Sequence, residues 1–139
     1  MSYEEKGIWV YLAVNVVTFT AYIAVILSRT GDGGLTEVPY VSPLLWTIGI
    51  AIGASVVGRV LMEIAKPSES HRSDVRDKEI NRLGEYVGGT ILSIGMLLPF
   101  VLALADADHF WIANGMYAVY VLAGLVGPAV KLIAYRRGM

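Results

Sequence analysis

The fold this sequence predicts is all-α: a polytopic membrane protein, an antiparallel bundle of four transmembrane helices with both termini in the cytoplasm. Three observations predict it. Four apolar stretches, at about residues 8–28, 44–65, 86–105 and 110–135, each reach the ~20 residues that cross a bilayer core. Charged residues are 17% of the chain and hydrophobic ones 55%, with mean hydropathy +0.59, where a soluble domain carries about 25% charged residues. Lysine and arginine are distributed one-sidedly among the connections. With 139 residues there is room for these spans and their connections, so 1–139 reads as a single transmembrane domain.

The first span follows an acidic start, Glu4 and Glu5, and its apolar run of about 21 residues exceeds the ~7–15 of a signal peptide. It reads as a retained helix, with Ser2 and Glu5 spaced as a capping box. Residues 29–43 hold Gly31, Gly33, Gly34, Pro39 and Pro43 and read as an irregular outer loop. The second span ends at Lys66 and Pro67. Residues 74–82 carry a capping residue and no breaker, which predicts a short cytoplasmic helix feeding the third span. Residues 106–109 form a connection so short that the third and fourth spans must be antiparallel neighbours.

The charges set the orientation. Lys6 precedes the first span. Lys66, Arg72, Arg76, Lys78 and Arg82 lie between the second and third, and Lys131, Arg136 and Arg137 close the fourth. Arg59 sits near the basic end of the second span. Only Arg29 falls on the other side, beside Asp32, Glu37, Asp106 and Asp108. The positive-inside rule puts both termini and the 66–82 segment in the cytoplasm of a cell with this protein in its plasma (inner) membrane. Trp9, Tyr86 and Tyr135 then mark the cytoplasmic interface, and Tyr40, Phe110 and Trp111 the outer one.

Within the spans, Tyr11, Asn15, Thr18 and Tyr22 share one helical face, and so do Asn114, Tyr117, Gly124, Pro128, Lys131 and Tyr135. Gly84, Gly88, Gly95 and Pro99 form a small-residue face on the third span. Such stripes serve packing between helices; a wet path between the first and fourth spans is the functional alternative. Pro99 and Pro128 each remove a backbone hydrogen bond, as simple kinks or as hinges. Arg59 and Glu63, four apart at membrane depth, read as a snorkelled structural pair or as part of a polar network with Asn15, Asn114 and Lys131, where Glu85 also belongs.

Several classes of chemistry are excluded. There is no cysteine, hence no disulfide and no thiolate chemistry. Asp106, Asp108 and His109 make a poor metal cage on a solvated turn. His71 and His109 lie on opposite sides of the membrane, which rules out a bis-histidine haem within one chain. No catalytic or phosphate-loop motif is present, so neither an enzyme nor a cofactor is implied. The basic loop is diluted by Glu69, Asp74, Asp77 and Glu79 and does not read as a nucleic-acid surface.

Several strings carry a resemblance: Tyr3-Glu4-Glu5-Lys6 ahead of Trp9-Val10-Tyr11, Leu45-Trp46-Thr47-Ile48-Gly49, Gly84-Glu85, Asp108-His109-Phe110-Trp111, and Ala134-Tyr135-Arg136-Arg137-Gly138. With Asp74-x-Arg76-Asp77-x-x-Ile80 they resemble a family of small uncharacterised four-span prokaryotic, notably actinobacterial, membrane proteins. The resemblance implies fold and location, and its members' neighbourhood with helix-turn-helix regulators implies a sensing role. Two functions are expected from the whole. One is a non-enzymatic accessory or sensor protein, a homo-oligomer among membrane lipids, meeting a cytoplasmic protein partner through Arg76, Asp77 and Glu79. The other is a small oligomeric transporter or channel for an ion or small solute, lined by Arg59, Glu63, Asn15 and Asn114.

Overall fold

The computed structural model describes residues 2–65 and 75–138. The expected end of the second span at Lys66 and Pro67, His71, and residue 74 of the predicted cytoplasmic helix lie outside these. The described residues form α1 (Tyr3–Arg29), a 3-10 turn (Leu35–Glu37), α2 (Val41–Ala65), α3 (Val75–Gly95), α4 (Leu97–Leu104) and α5 (His109–Arg137), without a strand among them. Counting α3 and α4 together, four helices of 27, 25, 30 and 29 residues are long and apolar enough to cross a membrane.

Polar caps, rather than hydropathy, set where α1 and α5 begin. The Ser2 hydroxyl accepts from the Glu5 amide at 3.2 Å, and Glu4 and Glu5 complement the positive end of the helix. α1 therefore starts at Tyr3, ahead of the apolar run. α2 starts at Val41, with Pro43 in its first turn, where a missing N–H costs nothing. Asp108 caps α5 by accepting from the Phe110 amide at 3.0 Å.

The third span joins the helix expected to feed it, and it breaks near Pro99, where a kink or hinge was the expectation. The short helix over residues 74–82 is not separate: α3 runs unbroken from Val75 through Gly95. Nothing in residues 75–86 breaks a helix except Gly84, which is buried in packing. The span is instead interrupted at Met96, where α3 gives way to α4. The cause is Pro99, which has no N–H to offer the Gly95 carbonyl and whose ring crowds it. Hydrogen bonds from Met96 N to the Leu92 carbonyl (2.9 Å) and Phe100 N to the Met96 carbonyl (3.1 Å) carry the chain across. α5 runs through Pro128 without a break.

The loop 29–43 is also more than irregular. Gly34 turns it at φ 86°, and Val38 is driven into a buried cluster with Tyr22, Ile26 and Phe110. Phe110, expected in the outer aromatic belt, is enclosed by that cluster at 4% exposure, with the Tyr40 ring edge-on at 5.3 Å. Trp111 remains exposed.

α5 is the centre of the molecule. α3 and α4 pack along it, α1 packs on it, and α2 packs on α1. Glycine brings α3 and α5 together. A Cβ on Gly127 would lie 3.0 Å from the Gly84 carbonyl oxygen, and one on Gly88 would lie 3.4 Å from the Ala123 carbonyl oxygen. Gly95 receives Val119, and Gly115 faces Pro99. α5 supplies six buried residues, whereas α2 has none.

Candidate functional site

This packing order leaves one side open. α2 is held by α1 and α3 is held by α5, so α2 and α3 stand apart as the walls of a cleft floored by α1 and α5. Its volume is about 540 Å³. Its wall is mostly apolar, with Val56, Gly88, Gly89, Ala123, Gly124 and Pro128 beside the polar-tipped Tyr11 and Ser55. Glycine on both α3 and α5 keeps it wide. A Cβ on Gly89 would meet no atom within 4 Å.

One end of the cleft is charged. Arg59 enters from α2, Lys131 from α5 and Glu85 from α3. A smaller polar chamber of about 140 Å³ adjoins it, lined by Glu4, Asp77, Lys78 and Asn81, and shares Ile8, Arg59 and Lys131 with the cleft. The Lys131 stem lies over Gly84, where any Cβ would collide with its methylenes. The apolar stem thus fills a notch in α3 while the ammonium reaches polar partners. The ammonium donates to the Asn81 side-chain oxygen, and Asn81 Nδ2 donates to Glu85 Oε1 at 3.0 Å. Glu85, Glu4 and Arg59 are the charged groups that act on Lys131. Arg59 lies against Gly7, its Nε and Nη2 being 3.9 Å from where a Cβ on Gly7 would stand. Among the described residues Arg59 has neither a hydrogen bond nor an ion pair.

Beyond this end, α3 is latched to α5. The Tyr135 hydroxyl donates to Asp77 Oδ1 at 2.6 Å, and Arg76 Nη2 donates to the Tyr135 carbonyl at 3.0 Å. The Arg76 guanidinium also stands 5.7 Å from the Tyr135 ring centroid. Arg136 lies at the same 5.7 Å from the Trp9 ring.

The residues expected to form one polar network occupy four places. Arg59 and Lys131 meet at the charged end of the cleft. Asn15 turns back on its own helix, donating to the Tyr11 carbonyl at 2.8 Å. Asn114 lies at the far end, where it accepts from the Tyr22 hydroxyl. Seventeen residues separate Asn114 from Lys131 on one helix, about 25 Å at ~1.5 Å per residue, so the two are not brought together. Glu63 is exposed on α2 and lines neither cavity. Of the expected partner contacts, Arg76 and Asp77 are engaged with α5, while Glu79 is exposed.

Between the first and fourth spans, where packing was the expectation and a wet path the alternative, rings fill much of the seam. Tyr117 packs against Tyr22 at 5.2 Å and Phe19 at 5.8 Å, and the Tyr11 hydroxyl covers Gly124. The open space lies beside this seam, between α2 and α3. Sequence reasoning missed Asn81, Glu4 and Gly89. The Asn81–Glu85 spacing of four residues was the available signal. Among the described residues no three His, Asp or Glu side chains cluster as a metal site. No protein-family model, curated protein or solved structure matches the chain.

Proposed function

We propose that the chain is a non-enzymatic accessory or sensor protein of the plasma membrane, acting as an oligomer, with the cleft between α2 and α3 as its ligand site. The observation that carries this is the amphiphilic make-up of the cleft: an apolar, glycine-walled trough that ends in Arg59, Lys131 and Glu85. Its volume of about 540 Å³ falls within the ~300–1,000 Å³ of small-molecule sites.

In this proposal the helices alternate in direction and both termini are cytoplasmic. The pairing of Gly84 with Lys131, Gly88 with Gly127 and Gly95 with Val119 supports the alternation, because numbers rise on α3 as they fall on α5. The gathering of Arg59, Arg76, Lys131 and Arg136 at one end supports the orientation, since cationic side chains concentrate on the cytoplasmic face. The bareness of α2, which buries no residue in the single chain, supports self-association. Ligand sensing is favoured over transport by the far end. There Tyr22, Ile26, Val38 and Phe110 are buried together, and Asn15 and Thr18 hydrogen-bond to their own helix.

Native mass spectrometry of the full chain from mild detergent tests the proposal. Expected is a defined oligomer carrying an amphiphile, which is lost in Gly89→Phe because the ring fills the trough. A bare chain, or equal retention by Gly89→Phe, counts against the cleft as a ligand site.

A further inference from the structure

Resting on the cleft as a ligand site, we infer that its occupant is a phospholipid whose headgroup carries both a phosphate and a primary ammonium. The shape comes first. A polar chamber of about 140 Å³ opens into an apolar trough of about 540 Å³, and the two share Ile8, Arg59 and Lys131. A head fits the chamber and an acyl chain fits the trough. A freely soluble molecule has no use for the second compartment.

The charges decide the head. Arg59, Lys131 and Lys78 stand with Glu4, Glu85 and Asp77 around the chamber and its junction with the trough, three charges of each sign. A purely anionic headgroup meets the carboxylates, and a purely cationic amphiphile meets the cations. A zwitterion satisfies both signs. Arg59 is the natural phosphate ligand. It stands six residues inside the Ala65 end of α2, ~9 Å along the helix, with no hydrogen bond or ion pair among the described residues. Its planar fork suits phosphate oxygens, and basic pockets between membrane helices bind lipid phosphates. Glu85 gives one oxygen to Asn81, and a carboxylate has about four acceptor positions, so it also accepts from an ammonium.

The ammonium is primary because the chamber supplies carboxylates. A quaternary ammonium is recognised by a cage of aromatic faces. Tyr135 is the one aromatic residue lining the chamber among the described residues.

The test uses the full chain in nanodiscs holding equal amounts of phosphatidylethanolamine, phosphatidylcholine and phosphatidylglycerol, with retained lipid read by native mass spectrometry. Expected is preferential retention of phosphatidylethanolamine. Arg59→Gln lowers that retention by about tenfold, the loss of a charge-assisted hydrogen bond. Glu85→Gln removes the preference over phosphatidylglycerol while binding persists. Arg59→Lys restores part of the retention, which separates lost charge from lost folding. Preferential retention of phosphatidylglycerol, or equal retention of all three lipids, overturns the inference. If that lipid is lost in Gly89→Phe, the cleft itself still stands as a ligand site. No retained lipid in the wild type overturns both. Competition by free phosphoethanolamine as strong as that of the intact lipid overturns the lipid as source.

Discussion

At the scale of single residues, two polar groups at membrane depth have opposite circumstances. Tyr22 is buried, and its hydroxyl donates to Asn114. Asn114 also donates to the Phe110 carbonyl at 2.9 Å, so this end is internally satisfied. Hydrogen bonds between membrane helices contribute about 0.6–2 kcal/mol. Tyr22→Phe is therefore expected to lower stability by about that much, read as thermal unfolding in detergent. Asn114→Ala in the Tyr22→Phe background adds less than Asn114→Ala alone; full additivity contradicts the contact. Arg59, by contrast, stands at the mouth of a cleft with no hydrogen bond or ion pair among the described residues. Both residues stood out in the sequence as polar groups inside apolar runs. Their different circumstances did not, because a helical stripe tells which residues share a face and not what lies opposite.

At the scale of elements, glycine has two uses on α3 that spacing alone does not separate. Gly84 and Gly88 admit the backbone of Gly127 and the stem of Lys131, whereas Gly89 opens on empty space. Gly127→Ala sets a methyl 3.0 Å from a backbone oxygen and is expected to cost about 1–3 kcal/mol. Gly89→Ala meets nothing and is expected to stabilise α3 by about 0.5–1 kcal/mol. Thermal melts of the two variants in detergent read the difference, and equal effects contradict the helix packing. The face Gly84, Gly88, Gly95 and Pro99 was legible as a helical stripe, and it is the face that meets α5. The break at Met96 follows from Pro99 acting on the carbonyl four residues earlier. The continuity of α3 through residue 86 was hidden, because charge ends an apolar run without ending a helix.

At the scale of the whole molecule, hydropathy made the four spans legible. The cleft was not, because it depends on which helices are neighbours: α2 rests on α1, and α3 and α4 on α5. A lipid-facing surface and a helix-facing surface are equally apolar, so the bareness of α2 has no signature in composition. Orientation is open to direct measurement because the chain has no cysteine. With an impermeant maleimide on intact cells, Asp32→Cys is expected to label directly and Arg82→Cys only after permeabilisation. The reverse pattern contradicts cytoplasmic termini.

The most direct measurement is photocrosslinking in a bilayer, with a diazirine-bearing leucine analogue in place of Gly89 and, as a control, in place of the buried Leu132. An amphiphile seated in the cleft yields a single lipid adduct at position 89, and little at position 132, which is buried in the helix packing. An adduct from position 89 to α2 of the same chain means that the walls close on each other. An adduct to a second chain means that protein fills the space, and either result contradicts a lipid-holding cleft.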